Sequence, residues 1–208
     1  MDIPIYLTLI RLVAPFLILR FPFFGILLCT LIDMYDWKFV SINSEADFFV
    51  YQNWDKFMDL YYLTFAFSVV FKFKDKLAKS IALYLFGYRL LGLSIYFVTS
   101  IKSMLFFFPN VFENFFIFYI SYVHFSKREK LLTSKNLTIL ILSSLIIPKL
   151  IHEYFMHYLN KQPWEIYDIG SWLGANGVLK EYANYLIWGS LFYLVPFLIF
   201  VYLLKKRV

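Results

Sequence analysis

The stretch A-N-Y-L-I-W-G-S-L-F-Y-L-V-P-F-L-I-F-V-Y-L-L, residues 183–204, contains no charged side chain. An α-helix needs about 20 consecutive apolar residues to cross the hydrocarbon core of a bilayer. This stretch is therefore predicted to be a membrane-spanning helix. Further apolar runs occupy roughly residues 4–20, 22–36, 54–73, 79–100, 103–124 and 136–159.

Together these runs predict an all-α fold, a polytopic transmembrane helix bundle of six or seven spans. The number stays open because Pro15 and Pro22 interrupt the first two runs, which form either two spans or one long segment. Continuous runs, without alternation of apolar and polar residues, exclude a transmembrane barrel. The chain of 208 residues is 61% hydrophobic and 23% aromatic, which is too apolar for a soluble domain. We expect one integral membrane domain over residues 1–208 in the cell membrane, with an aspartate-rich half at 1–100 and the remaining helices at 101–208.

The charged side chains near the span ends indicate an orientation. Lys and Arg concentrate at one face, at residues 20, 72–79, 127–135 and 205–207, and most Asp and Glu lie at the other face. The positive-inside rule places the basic face in the cytoplasm and the acidic face outside. The net charge of +6 is then explained by topology and by contact with lipid head groups. Membrane lipids and a second copy of the chain are the expected partners, and nucleic acid is not.

Four aspartates lie at the acidic face, at the ends of two neighbouring spans. Asp33 and Asp36 are three residues apart and Asp55 and Asp59 are four apart, so each pair shares one face of a helix. Two adjacent helices can thus present four carboxylates to one space. Such a cluster can hold Mg²⁺ or Mn²⁺ and leave one carboxylate as a base. The alternative is that both pairs are polar helix ends that face water.

Other polar groups inside the spans also crowd towards the acidic half of the bilayer, which predicts one polar cavity that opens on that face. Arg11, Arg89 and Lys149 are candidates to bind phosphate or substrate. Four further residues are candidates to contact the metal- or phosphate-binding side chains and not the ligand itself, namely Glu113, His152, Glu153 and His157. The sequence H-E-Y-F-M-H at 152–157 lacks the histidine spacing of a zinc protease, so a second metal site there is the less favoured alternative.

The segments D-M-Y-D at 33–36 and D-K-F-M-D at 55–59 resemble the aspartate motif of the CDP-alcohol phosphotransferases. That family shares the pattern D-x-x-D-G-x-x-A-R, followed by G-x-x-x-D-x-x-x-D. The segment I-P-I-Y-L-T-L-I-R-L-V-A-P at 3–15 is also similar to the start of many members. Arg89 lies where several members carry an Arg in the fourth span, so the resemblance covers residues 3–100. The chain departs from the family pattern at Trp37, Val40, Ser41 and Tyr51, and its loop between the aspartate pairs is one residue longer.

Members of the family are polytopic membrane enzymes that transfer a phosphatidyl or similar phosphoryl group from a CDP-linked donor to an alcohol and release CMP. The resemblance implies that Asp33, Asp36 and Asp55 bind Mg²⁺ or Mn²⁺ and that Asp59 is the base. It also implies a CDP-linked lipid donor and an alcohol acceptor as partners. The site of the family faces the cytoplasm, whereas the charge distribution of this chain places the aspartates outside.

An enzyme is the favoured interpretation, and two non-catalytic alternatives remain. The first is a transporter or ion-binding protein whose acidic vestibule takes up a cation or an amphiphile. The basic half of the bilayer lacks the polar residues that a complete translocation path requires, which counts against a transporter. The second is an assembly protein without a small-molecule site.

Overall fold

The structure, a computed structural model, describes residues 2–41, 44–159, 161, 165, 167–174 and 176–205, without the side chains of residues 178, 181, 182 and 185. In this part of the chain all regular elements are helical, and one isolated bridge joins Asp2 to Ser41. The helices are α1 (Ile5–Val13), α2 (Phe16–Arg20), α3 (Pro22–Tyr35), α4 (Glu45–Val70), α5 (Lys76–Thr99), α6 (Ser103–Phe107), α7 (Val111–Ser126), α8 (Lys135–Glu153), α9 (Ile169–Trp172) and α10 (Gly177–Lys205). A 3-10 turn (Asp36–Phe39) follows α3, and a π-helical turn (Tyr154–Tyr158) follows α8. The all-α prediction is confirmed.

Four helical stretches are long and apolar enough to cross a membrane. They are Lys76–Thr99, Ser103–Ser126, Lys135–Tyr158 and Leu186–Lys205, and they correspond to the last four predicted spans. The N-terminal runs form shorter helices, because the chain leaves the helix between Val13 and Phe16 and again before Pro22. The structure thus shows a helical protein with four candidate spans, and the count of six or seven stays a prediction.

Helix α4 begins earlier than predicted. The sequence predicted a span that starts near residue 54, with a connection at 37–53, whereas the helix begins at Glu45. The Ser44 side chain accepts a hydrogen bond of 3.1 Å from the backbone N–H of Asp47, which caps the helix. Glu45 and Asp47 lie in its first turn, where carboxylates are favoured by the helix dipole. The cap moves the helix start to Glu45 and places Tyr51 and Trp54 on the same helix as the second aspartate pair.

The structure divides into two compact units, and the first comprises residues 1–90 and 112–131. In this unit α2, α3 and α4 contact one another around buried side chains such as Ile18, Ile26 and Leu63. A Cβ atom on Gly25 would lie 2.4 Å from the backbone nitrogen of Ile18, so only glycine permits this approach of α3 to α2. All four aspartates and both basic loops at 72–79 and 127–130 belong to the first unit.

The second unit comprises residues 91–111 and 132–208. In it α8 packs against α10, and the short helix α9 contacts α10 as well. The segment Phe108–Asn110, which contains Pro109, separates α6 from α7 and so interrupts the helix within the predicted run at 103–124. The connection between the last two predicted runs, residues 160–182, falls partly outside the described residues, at 160, 162–164, 166 and 175, and so do the basic residues 206 and 207.

Candidate metal and phosphate site

The side chain of Arg11, on α1, lies among the four aspartates. Its Nη1 donates hydrogen bonds to Asp36 and, at 3.0 Å, to Asp55. Its Nη2 donates to Asp33 at 2.5 Å and to Asp59 at 3.1 Å. A guanidinium presents its donors in a planar fork, which allows one side chain to bind several carboxylates at once. The convergence of both aspartate pairs is therefore confirmed, and Arg11, predicted to bind phosphate, forms ion pairs with all four carboxylates.

Two further side chains of α4 bind the cluster. Lys56 Nζ lies 2.7 Å from Asp55 Oδ2 and 3.2 Å from Asp59 Oδ2. The hydroxyl of Tyr51 donates a hydrogen bond of 2.6 Å to Asp36 Oδ1. Sequence reasoning did not select either residue for the site. Tyr51 lies one helical turn before Asp55, and Lys56 lies three residues before Asp59. This helical spacing is the local signal that could have identified them.

An apolar cluster supports the site near the N-terminus. Leu7, Val40 and Tyr51 are buried together, and Trp54 packs against them. The Trp54 ring centroid lies 5.1 Å from the guanidinium carbon of Arg11, a cation–π contact. Val40 and Tyr51, two positions at which the chain departs from the family pattern, thus belong to this buried cluster. This packing restricts the conformations that Arg11 and Asp36 can adopt.

The charges and oxygen positions of the cluster are compatible with a divalent cation. Asp33, Asp55 and Asp59 each offer a carboxylate oxygen, and the three atoms lie within 4.8 Å of one another. Counted as ionised, the four carboxylates carry two more charges than Arg11 and Lys56 together neutralise. Carboxylate oxygens are the ligands that Mg²⁺ and Mn²⁺ prefer. Both oxygens of Asp55 and Asp59 already accept from a cation, so a bound metal would compete with Arg11 and Lys56.

A third cation, Arg89 on α5, lies near the cluster. Its side chain is buried, and its charge acts on both Asp59 and Lys56. In the same formal count, Arg89 reduces the excess of negative charge to one. The position of Arg89 is compatible with its predicted role towards a phosphate, which stays a prediction.

Glu113, on α7, contacts α3. It accepts a hydrogen bond of 2.9 Å from the hydroxyl of Thr30. A cavity of about 10 Å³ adjoins Arg11 and is lined by Cys29 and Tyr62 among others. A cavity of that size holds about one water molecule, so it is too small for a nucleotide or a lipid head group.

The polar residues of α8 form a second group, within the second unit. Glu153 lies 2.9 Å from Lys149 Nζ and 3.1 Å from His157 Nε2, as the helical spacing predicted. His152 lies on a different side of the helix, where its ring contacts Phe192 at 5.5 Å between centroids. The predicted roles of these four residues towards phosphate or metal stay predictions, as does the single polar cavity.

Asp168, which sequence reasoning did not select, organises the start of α9. It accepts hydrogen bonds from Asn184 at 2.7 Å and from the Ser171 hydroxyl at 2.6 Å, and it forms an ion pair with Lys180 at 3.0 Å. These three donors, Asn184 first, hold the pKa of Asp168 well below its usual range. Gly170 completes the network because its backbone N–H donates to Asn184 Oδ1 at 2.7 Å. The network joins α9 to α10, so we interpret its role as structural. We call these contacts of Asp168, Gly170, Ser171, Lys180 and Asn184 the clasp.

The chain was compared with protein-family models, with curated proteins and with solved structures, and none of them matches it.

Proposed function

We propose that this chain is a divergent relative of the CDP-alcohol phosphotransferases, a membrane protein that transfers a phosphatidyl or related phosphoryl group from a CDP-linked donor to an alcohol. The observation that carries the proposal is the convergence of four aspartates from α3, the following turn and α4 on the single side chain of Arg11. Two carboxylate pairs at helical spacing, next to buried cations, suit chemistry on a metal-bound phosphate.

The residues have distinct roles in this proposal. Asp33, Asp36 and Asp55 hold Mg²⁺ or Mn²⁺, as the resemblance implies, and Asp59 takes the proton of the acceptor hydroxyl. The hydroxyl oxygen then forms a bond to the phosphorus that carries the lipid, the pyrophosphate bond breaks, and CMP leaves with the bonding electrons. The metal, when bound, neutralises charge on the phosphate oxygens. Arg89 adds positive charge on the side of Asp59.

The distances also suggest a different division of the carboxylates. The three aspartates whose oxygens lie closest together are Asp33, Asp55 and Asp59, whereas Asp36 is held by Arg11 and Tyr51. In that arrangement Asp59 is a metal ligand. Measurements of metal binding and of turnover distinguish the two roles of Asp59. Replacement of a base leaves metal binding intact, whereas replacement of a metal ligand weakens it.

A second candidate function rests on the same contacts. Because both oxygens of Asp55 and Asp59 accept from Arg11 or Lys56, the cluster is also consistent with an internal charge network. In that case the protein is a non-catalytic ion-binding, transport or assembly protein. Buried ion pairs of this kind fix one packing arrangement of helices without any ligand.

The test is CMP release from CDP-diacylglycerol by the purified full chain in lipid with Mn²⁺, with a total lipid and polar-metabolite extract as the acceptor pool. Mn²⁺ binding is measured in parallel by electron paramagnetic resonance. Asp59→Asn is the test variant. Glu45→Gln, which removes an exposed carboxylate of the same helix, is the matched control.

We expect the wild type and Glu45→Gln to release CMP and Asp59→Asn not to. Retained Mn²⁺ binding in Asp59→Asn would then identify a base, and lost binding a metal ligand. Mn²⁺ binding without CMP release in the wild type would contradict the transferase and favour the ion-binding alternative. Absence of both would leave the internal charge network as the function of the cluster.

A further inference from the structure

The first unit carries a second charged region, formed by the loop between α4 and α5 and the loop after α7. We call it the basic patch, and it consists of Lys72, Lys74, Lys76, Lys79, Lys127, Arg128 and Lys130. Except for Lys79, which is half-buried, all of these side chains are exposed. Two acidic residues accompany them, Asp75 and Glu129. Glu129 is paired with Lys74 at 2.7 Å, and Asp75 is buried.

The buried carboxylate of Asp75 holds the two loops together. Its Oδ1 accepts hydrogen bonds of 3.1 Å from the backbone N–H groups of Leu77 and Ala78, which caps α5. Its Oδ2 accepts a hydrogen bond of 3.0 Å from the backbone N–H of Leu131, 56 residues further along the chain. The Tyr119 hydroxyl adds a bond of 2.7 Å to the backbone carbonyl of Glu129. The basic side chains therefore project from one ordered surface.

The stability of the helices explains only part of this charge, because Lys72 and Lys127 follow the C-terminal ends of α4 and α7, where the helix dipole favours a cation. Lys76 and Lys79 lie in the first turn of α5, where the helix dipole disfavours positive charge. The two acidic residues of the region are already engaged, so most of the positive charge has no protein counterpart among the described neighbours. An external anion is the chemistry that such a surface attracts.

The position of the basic patch identifies the kind of anion. One candidate membrane span begins at Lys76 and another ends at Ser126, so the patch lies at the ends of two spans. Phe71 and Phe125, both more than half exposed, flank it. Aromatic and basic side chains together at a span end are typical of contact with the head-group layer.

We infer that the basic patch binds anionic phospholipid head groups at the membrane surface. This inference does not depend on the proposed transferase function, because the patch shares no residue with the aspartate cluster. Cationic side chains form ion pairs and hydrogen bonds with the phosphodiester, whose negative charge is uncompensated in phosphatidylglycerol. A zwitterionic phosphatidylcholine presents the same phosphate together with a compensating cation, so it should bind less tightly.

The experiment compares fluorescent phosphatidylglycerol with fluorescent phosphatidylcholine of the same acyl chains, each titrated into the full chain in neutral detergent. The test variant carries Lys72→Gln, Lys127→Gln and Arg128→Gln. The matched control carries Lys38→Gln, Lys102→Gln and Lys161→Gln, the same charge change outside the patch. We expect the wild type and the control to prefer phosphatidylglycerol, with a preference that weakens as salt is added.

In the test variant the preference should fall by about fivefold per removed charge, roughly a hundredfold for three charges. An equal fall in the control variant, or no preference in the wild type, would overturn the inference. Tighter binding of a short RNA than of phosphatidylglycerol would overturn it as well, in favour of nucleic acid.

Asp75→Asn tests whether the order of the patch matters. The amide keeps an acceptor for the cap of α5 but turns an N–H group towards the N–H of Leu131, so the tie between the loops breaks. The variant loses one negative charge, so its net charge rises by one, which by itself should strengthen binding of an anionic lipid. Weaker binding of phosphatidylglycerol therefore supports an ordered lipid site, and stronger binding contradicts it. The triple variant decides the inference if Asp75→Asn does not fold.

Discussion

The hydroxyl of Tyr51 donates a hydrogen bond of 2.6 Å to Asp36, which also accepts from Arg11. Tyr51 occupies a position where the CDP-alcohol phosphotransferase pattern has glycine. The side chain of Tyr51 is buried at this position, and its hydroxyl is a donor to a buried carboxylate. This contact fixes Asp36, which lies just beyond the end of α3, relative to α4.

Replacement of Tyr51 by Phe removes this donor and leaves the ring in place. We expect a loss of about 1 to 2 kcal/mol in the free energy of unfolding, because a buried carboxylate loses one partner. Mn²⁺ affinity should fall by about tenfold, as it does when groups that orient metal ligands are removed. Thermal unfolding and Mn²⁺ titration measure the two effects. Tyr84→Phe, at a 71% exposed position, is the control and should change neither.

Replacement of Arg11 by Gln removes the cation that bonds to all four carboxylates. In EDTA we expect a loss of about 3 to 5 kcal/mol in the free energy of unfolding, since the buried charges lose their main counter-ion. Millimolar Mn²⁺ should restore most of this stability, because a divalent cation can take the place of the guanidinium. Unfolding curves in EDTA and in Mn²⁺ provide the measurement.

Arg20→Gln removes an exposed arginine from the neighbouring helix and is the matched control for Arg11. It should unfold as the wild type does in both buffers. If Arg11→Gln is equally unstable in EDTA and in Mn²⁺, the cluster does not bind the metal.

Lys56→Gln tests competition for the oxygens of Asp55 and Asp59. Lys56 bonds to one oxygen of each, so its removal frees two ligand atoms and removes a repulsive charge. We expect Mn²⁺ to bind about tenfold more tightly, a modest share of the Coulomb energy of charges this close. Lys38→Gln, in the turn after α3, should leave the affinity unchanged. Weaker Mn²⁺ binding in Lys56→Gln would mean that Lys56 orders the site.

The clasp at Asp168 predicts a pH dependence. Because the folded pKa of Asp168 lies below the ordinary value of 3.8, its contribution to stability is present above pH 3.8 and is lost as the pH falls below that value. The amide of Gly170, bonded to Asn184, reports on the clasp through its hydrogen-exchange protection factor. We expect constant protection from pH 7 to about pH 4 and a decrease below it. Asp168→Asn should lower the protection at every pH, and a wild-type midpoint near pH 6 would contradict the assignment.

The sequence predicted those parts of the site that depend on local helical periodicity. The spacing of Asp55 and Asp59 placed both carboxylates on one face of α4, and the structure confirms this. The same spacing accounts for the contacts of Glu153 with Lys149 and His157. The last four candidate spans were likewise predictable, because length and apolar character decide whether a helix can cross a bilayer.

The contacts between distant segments were not predictable in this way. Arg11 reaches carboxylates that are 22 to 48 residues away in sequence, and no periodicity within one helix encodes such a meeting. The early start of α4 was predictable in principle, because Ser44 followed by Asp47 is a helix-capping signal. The predicted start near residue 54 followed from the apolar run alone, which begins after the capping signal.

The dependence of Arg11 on later residues has a consequence for biosynthesis. A buried charge without a partner costs several kcal/mol. On a growing chain Asp33 and Asp36 follow Arg11 within 25 residues, and its last partner, Asp59, is synthesised 48 residues after it. The charge of Arg11 is therefore only partly compensated until α4 emerges, so Arg11 should reach its final position only together with α4.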